Sequence, residues 1–239
     1  NTRYSMFGGK SVVRDNPMID EGKVQNFSGV LNINPRGRWF GNTLQLKASF
    51  LTEIGDNSAF ELSEYRFNRH IAHSKMILKL DRGTAIEWRG LAYAVTSSEN
   101  TIPSQFLANA GGMGTVMSHP LGSLSGTHML LSNLEINSNY RQLYGRSGRS
   151  YDGSWDDFEF DIDLSSPSLG FFWDVGWSGF AMNQSDLNPF SGFNDNRGGQ
   201  LLHTIGTVLT AGSVQLRVGW DPNDFNERPI FLIRLNPRF

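Results

Sequence analysis

The side chains best suited to chemistry are concentrated between residues 118 and 128. His119 and His128 stand there with Ser118, Ser123 and Ser125. A histidine that takes a proton from a serine is the centre of Ser-His-Asp hydrolases, but geometry rather than composition defines such triads. The sequence has no Gly-x-Ser-x-Gly elbow and no His-Glu-x-x-His zinc helix. We therefore predict no catalytic residue, and a lipid hydrolase is only the third functional hypothesis.

Metal and nucleotide sites are also weakly supported. His70 and His73 are three residues apart, so on a strand they fall on opposite faces and cannot share a metal. The alternating carboxylates of 157–163 could supply oxygen ligands to Ca²⁺, but a straight strand spreads them along one edge. The glycines of 111–114 lack the strand-to-helix context of a phosphate loop. We predict a solvated acidic face at 157–163, no metal and no cofactor.

Composition excludes several classes of protein. The net charge of -2 argues against a nucleic-acid surface, and the absence of cysteine removes disulfides and thiolate chemistry. Hydrophobic residues are 38% of the 239, and no run approaches the ~20 apolar residues of a spanning helix. Aromatic residues reach 12%, with 26 glycines, as expected where aromatic girdles and tight turns recur. No export signal is visible at Asn1, so we take the chain to be mature or trimmed.

The last residues of the chain alternate in polarity. One side carries Phe231, Ile233, Leu235, Pro237 and Phe239, and the other carries Leu232, Arg234, Asn236 and Arg238. Period-two alternation over about ten residues is typical of a strand with lipid on one face and a polar lumen on the other. A terminal aromatic residue on such a strand resembles the assembly signal of bacterial outer-membrane barrels. We predict that Phe231, Ile233, Leu235 and Phe239 form this signal.

Similar alternation recurs along the chain. We predict strands near 3–13, 24–34, 44–50, 58–68, 77–95, 130–137, 171–178, 201–211, 214–221 and 231–239. The segment 77–95 is either one strand or a hairpin that turns at 81–83, and an even number of strands favours one strand. The long linkers 96–128 and 181–200 would lie at one end of the strands and the short turn 211–213 at the other, as in outer-membrane barrels. The predicted fold is one antiparallel transmembrane β-barrel domain over 1–239, complete or the C-terminal part of a larger barrel.

The segment 106–135 carries the most distinctive local motifs. It contains Leu-Ala-Asn-Ala-Gly-Gly-Met-Gly from Leu107, then a Ser-Gly stretch, then Asn133-Leu134-Glu135. This resembles the inward-folded loop and following strand of the bacterial surface antigen superfamily, which includes assembly barrels, two-partner secretion transporters and barrels fused to patatin-type lipases. Phe172-Trp173-Asp174-Val175-Gly176 is similar to the family's next strand, which bears an inward Asp. The resemblance spans roughly residues 40–239 and implies a long loop folded toward the lumen.

The chain departs from this family at the loop tip. The resemblance implies an Arg at the tip that reaches the strand Glu and Asp, whereas the aligned residues here are Met117-Ser118-His119. By alternation Glu135 and Asp174 still face the lumen, and a buried carboxylate needs a partner. The inward candidates are Arg217, Arg234, Arg89 and, more weakly, His119. The residues assigned to this lumen site are Gly111, Gly112, Gly114, Met117, His119, Glu135, Asp174 and Arg217.

These observations give a ranked set of functions. The leading hypothesis is an outer-membrane β-barrel that serves as a membrane-embedded structural or partner-binding component. The alternatives are a polypeptide transporter or insertase barrel of the same superfamily, and then an outer-membrane lipid hydrolase; a soluble β-sandwich is the non-membrane alternative. The expected partners are outer-membrane lipid, the barrel assembly machinery and another membrane-protein subunit, with no nucleic acid.

Overall fold

A computed structural model gives the arrangement of most of the chain. It describes residues 26–55, 65–80, 83–97, 102–112, 115–120, 122–138, 167–183, 188–211, 214–226 and 228–235. The predicted strand at 3–13, the acidic run 157–163, Gly114 and Phe239 lie outside these residues. Within them, no helix combines the length and the apolar character needed to cross a membrane.

The described residues are dominated by antiparallel strands. In chain order these are β1 (Asn26–Ile33), β2 (Arg36–Trp39), β3 (Asn42–Gly55), β4 (Phe67–Lys79), β5 (Ala85–Thr96), β6 (Ala108–Ala110), β7 (Leu124–Gly126), β8 (His128–Asn137), β9 (Ser168–Ala181), β10 (Asn196–Ala211), β11 (Val214–Trp220) and β12 (Ile230–Leu235). A 3₁₀ turn at Ser104–Phe106 and a short helix α1 (Ser191–Asn194) complete the list.

Ten strands form one sheet in the order β1-β3-β4-β5-β8-β9-β10-β11-β12, with β2 also beside β3. The small β6–β7 hairpin is separate. The prediction of an all-β antiparallel fold is confirmed. In the described residues β1 and β12 do not pair with each other, so the sheet is open as described, and its closure into a barrel stays a prediction.

Alternating sequence produces two unlike faces. Along β9 the side chains of Phe172 and Asp174 are buried, while those of Phe171 and Trp173 are exposed. Successive side chains of a strand point to opposite faces, so this period-two pattern assigns each residue to one side. We call the side that carries Asp174 the polar face and the side that carries Trp173 the apolar face.

The segment 77–95 is a hairpin, so the preference for one long strand is wrong. β4 ends at Lys79 and β5 starts at Ala85, and the two pair antiparallel from Asn68↔Thr96 to Lys79↔Ala85. Gly83 lies in the connection between them. Most of the strand expected near 58–68 lies outside the described residues, and its last two residues belong to β4, which begins at Phe67.

The connections differ between the two ends of the sheet. The strand ends on either side of 40–41, 80–84, 212–213 and the segment between β8 and β9 lie at one end of the sheet, which we call the turn end. The strand ends on either side of 56–66, 97–127, 182–195 and 221–229 lie at the opposite end, which we call the loop end. The link 97–127 packs on the polar face through Ala108, Val116 and Leu124, which join the core formed by β4, β5 and β8.

Candidate functional site

The polar face carries an unusual number of buried polar side chains. Its buried members include Glu135, Asn137, Asp174, Ser178, Thr204, Thr210, Gln215 and Arg217. Because a buried polar group is costly without a hydrogen-bond partner, these residues must be paired or solvated. Of the predicted site residues, Glu135 on β8, Asp174 on β9 and Arg217 on β11 are among them.

Glu135 is held between a cation and an amide. Arg217 donates from Nη2 to Glu135 Oε2 at 3.0 Å, and Asn137 donates from Nδ2 to Oε1 at 2.7 Å. The guanidinium also lies over the Phe172 ring, 4.3 Å from its centroid. Of the cations considered from the sequence, Arg217 is thus the one placed on Glu135. Arg89 instead lies 3.4 Å from Glu87.

Asp174 is linked to the loop through an amide. Asn133 Nδ2 donates to Asp174 Oδ1 at 2.8 Å and to the carbonyl oxygen of Thr115 at 3.0 Å. Asp174 forms no ion pair with the part of the chain that the structure describes. Asn133 on β8 therefore joins Asp174 of strand β9 to the loop.

The glycines of the loop form a compact turn. Gly111 and Gly112 have φ values of 109° and 87°, a region that favours glycine. Gly111 N donates to Thr115 Oγ1 at 2.7 Å, and Gly112 N donates to the carbonyl oxygen of His119 at 2.8 Å. These bonds fold the chain back on itself and direct the following tip toward the sheet.

The loop tip contacts β10 rather than the two carboxylates. Ser118 N donates to Thr204 Oγ1 at 2.9 Å, and Ser118 Oγ donates to the carbonyl oxygen of His203 at 3.0 Å. Met117 is buried against Phe172 and Val208. The tip is therefore attached by the hydrogen bonds of Ser118 to β10 and by burial of the Met117 side chain.

The two loop histidines have separate environments. His119 Nε2 lies 3.1 Å from the carbonyl oxygen of His203 and 3.5 Å from Asp221 Oδ2. His128 is fully buried, with Nδ1 3.0 Å from Thr127 Oγ1 and Nε2 3.1 Å from the carbonyl oxygen of Pro189. Each ring nitrogen of His128 has a partner that is not a serine nucleophile, so this arrangement gives no support to the hydrolase hypothesis.

The C-terminal strand is present in part. Phe231 and Ile233 are exposed on the apolar face, and Leu235 is the last residue of β12. Arg234 lies on the polar face opposite Gln215. The predicted assembly signal also includes Phe239, which is outside the described residues, and it stays a prediction.

The structure brings together some residues that sequence reasoning did not select. Thr204 and His203 receive the loop tip, Asp221 faces His119, and Asn137 supports Glu135. The alternation of β8 did place Asn137 on the same face as Glu135, so that partner could have been found. No local sequence pattern could have predicted the contacts of Thr204 and His203 with the loop tip, because they join segments more than eighty residues apart.

An arginine at the loop tip tests whether the carboxylates need a second cation. The sequence alone predicts that Met117→Arg stabilises the protein if Glu135 and Asp174 lack partners. Arg217 already pairs with Glu135, and Met117 is buried against Phe172. We therefore expect Met117→Arg to destabilise the protein by about 2 kcal/mol, because the longer side chain overpacks the site and buries a charge. Denaturant unfolding measures the change, and Met117→Leu, which keeps the apolar contact, is the matched control. Stabilisation by Met117→Arg would contradict this account.

Comparison with models of known protein families gives no match to this sequence, and comparison with curated proteins gives none.

Proposed function

We propose that this chain is an outer-membrane β-barrel, or the C-terminal part of one, that serves as a membrane-embedded structural or partner-binding component. In this proposal the apolar face meets lipid and the polar face lines a lumen into which the loop 97–127 folds. The resemblance to the bacterial surface antigen superfamily agrees with this proposal but is not needed for it.

One observation carries the proposal: large apolar side chains are exposed across the apolar face of the sheet. The strand register places them all on that face, from β1 at one edge of the sheet to β12 at the other. They are Phe27, Leu31, Ile33, Phe50, Ile54, Leu130, Ile136, Leu169, Phe171, Trp173, Leu201, Leu209, Phe231 and Ile233. Soluble monomers rarely expose an apolar surface of this extent. The same pattern is expected of strands whose outer face is solvated by lipid.

The polar face supports the same conclusion. A soluble β-sandwich buries its apolar face against a second sheet and exposes its polar face to water. Here the order is reversed, because Glu135, Asp174 and Arg217 are buried while Phe171 and Phe231 are exposed. Barrels with a polar interior and an apolar exterior have this arrangement.

A lysine on the apolar face distinguishes lipid from water as its solvent. We expect Phe171→Lys to destabilise the protein in lipid vesicles by about 2 kcal/mol, because a charge would enter hydrocarbon. Reversible denaturant unfolding in vesicles measures the change. Asn32→Lys is the matched control, since Asn32 is exposed on the polar face and should tolerate the charge. A soluble protein would show little change at either position, because exposed substitutions are usually within about 0.5 kcal/mol.

Extraction of the protein provides an independent test. We expect the folded chain to require detergent or lipid for solubility and to migrate faster on a gel before heating than after it. Full solubility of the folded chain without detergent would overturn the proposal.

A further inference from the structure

The short helix α1 and its neighbours lie on the apolar face at the loop end of the sheet. We call residues 188–195 the α1 segment. Phe193 of this segment packs on Trp177, with ring centroids 5.9 Å apart, and on His128, with centroids 4.9 Å apart. By the alternation of β8 and β9, both His128 and Trp177 belong to the apolar face. The α1 segment is therefore seated on the sheet through these two side chains.

His128 is at the centre of this contact. Its ring is fully buried, and a Cβ placed on Gly192 would overlap the ring, so the backbone of α1 rests directly on the imidazole. The ring nitrogen Nε2 lies 3.1 Å from the carbonyl oxygen of Pro189, which can only accept a hydrogen bond. Nε2 of His128 therefore carries a hydrogen and donates it to the α1 segment.

The other ring nitrogen of His128 is satisfied as an acceptor. Thr127 Oγ1 lies 3.0 Å from Nδ1 and accepts a hydrogen bond from the backbone N of Ala181 at 2.9 Å. When the Thr127 hydroxyl donates to Nδ1, the hydroxyl and both ring nitrogens have the partners that a neutral imidazole requires. Protonation of Nδ1 would displace the hydroxyl hydrogen from this bond and would place a charge on a fully buried ring.

The elements around His128 supply no counter-charge to its ring within the part of the chain that the structure describes. Strands β5 and β9 flank β8 and have no titratable side chain on the apolar face. The titratable or charged residues of the other neighbouring elements are Arg66 and His70 at the loop end of β4, Asp195 after α1 and Arg197 in β10. None of them forms an ion pair or hydrogen bond with His128. A protonated His128 would thus be a buried charge without a partner, which is costly.

We propose that protonation of His128 releases the α1 segment from the apolar face of the sheet. The ring is neutral while α1 is seated, and it takes up a proton once α1 is released into water. Because only the released state binds this proton, lower pH favours release, and the effect begins below about pH 6.5, where a free imidazole is protonated. The inference concerns contacts within the chain and does not rest on the proposed membrane function.

Chemical modification of the histidines in the folded full chain tests the proposal without any substitution. Diethyl pyrocarbonate modifies accessible neutral imidazoles, and peptide mass spectrometry separates His128 from His73, which is exposed and serves as the internal reference. We expect the initial modification rate of His128 relative to His73 to rise at least about tenfold from about pH 7 to about pH 5, because one linked proton allows up to about tenfold per pH unit. Circular dichroism of the sheet should not change over this range. A constant rate ratio, or loss of the sheet signal together with the rise, would overturn the proposal.

A spin label reports on the α1 segment itself. The chain has no cysteine, and Asn194 is exposed at the end of α1, so Asn194→Cys provides one labelling site. We expect the label to change from immobile to mobile as the pH falls from about 7 to about 5. Gly192→Ala, which forces a Cβ into the His128 ring, provides the spectrum of the released segment at both pH values.

A neutral replacement of His128 should abolish this transition. His128→Gln retains an N–H donor for Pro189 but takes up no proton, so the label should stay immobile at about pH 5. His70→Gln is the matched control, because His70 lies in the same row of the sheet beyond Ala94, and it should retain the transition. A transition that persists in His128→Gln, or that is lost in His70→Gln, would overturn the proposal. If His128→Gln does not seat α1 at about pH 7, the modification ratio in the unsubstituted chain decides.

Discussion

Replacement of Arg217 by methionine should destabilise the protein by about 3–5 kcal/mol, the cost expected when one partner of a buried ion pair is removed. Arg217 and Glu135 are only 7% and 8% exposed, and their 3.0 Å contact supplies the cation that Glu135 needs. Methionine retains much of the packing on Phe172, so most of the loss comes from the unpaired carboxylate. Denaturant unfolding measures the change in free energy.

A second substitution separates the charge from the packing. In Glu135→Gln/Arg217→Met neither charge remains, and the amide oxygen can still accept the hydrogen bond from Asn137. We expect the double variant to recover at least about 2 kcal/mol of the loss, because neutral replacement of a buried pair is often tolerated. An equal loss in the single and double variants would mean that Arg217 acts through packing on Phe172 and not through its charge.

The sequence was sufficient to predict which face of each strand carries the polar residues. Glu135, Asp174 and Arg217 were all assigned to one face from period-two alternation, since that period is a property of the strand itself. The sequence was not sufficient to choose among Arg217, Arg234 and Arg89 as the partner of Glu135. That choice depends on side-chain reach between strands, because Arg217 lies opposite Val208 and Leu232 and contacts Glu135 across β9 and β10.

The hairpin of β4 and β5 shows why one assignment failed. The sequence has a turn signal at 81–83, whereas the even number of strands expected of a barrel favours one continuous strand over the hairpin that is observed. Local turn chemistry at Asp81-Arg82-Gly83 was the more direct physical signal. The attachment of Ser118 to Thr204 is a different case, since a loop of this length can reach several strands and alternation does not identify which one.

Substitution of Gly111 by alanine should release the loop from the polar face. The φ of Gly111 is 109°, and a Cβ there would overlap the carbonyl oxygen of Pro120, which is backbone and cannot rotate away. Backbone strain of about 1–3 kcal/mol adds to a similar cost of overpacking, so we expect a total near 4 kcal/mol. The turn that directs Ser118 to Thr204 would then open, and protease cleavage within 107–120 should become faster.

Gly122→Ala provides the control for this experiment. Gly122 also has a positive φ, 72°, but a Cβ at that position would have no atom within 4 Å. Its substitution therefore introduces strain without a clash, and we expect a loss of about 1 kcal/mol with little change in cleavage. If the two alanine variants behaved alike, the contact with Pro120 would have no role in holding the loop. A larger effect at Gly111 would show that close packing of the glycine turn, and not only its backbone conformation, fixes the loop on the sheet.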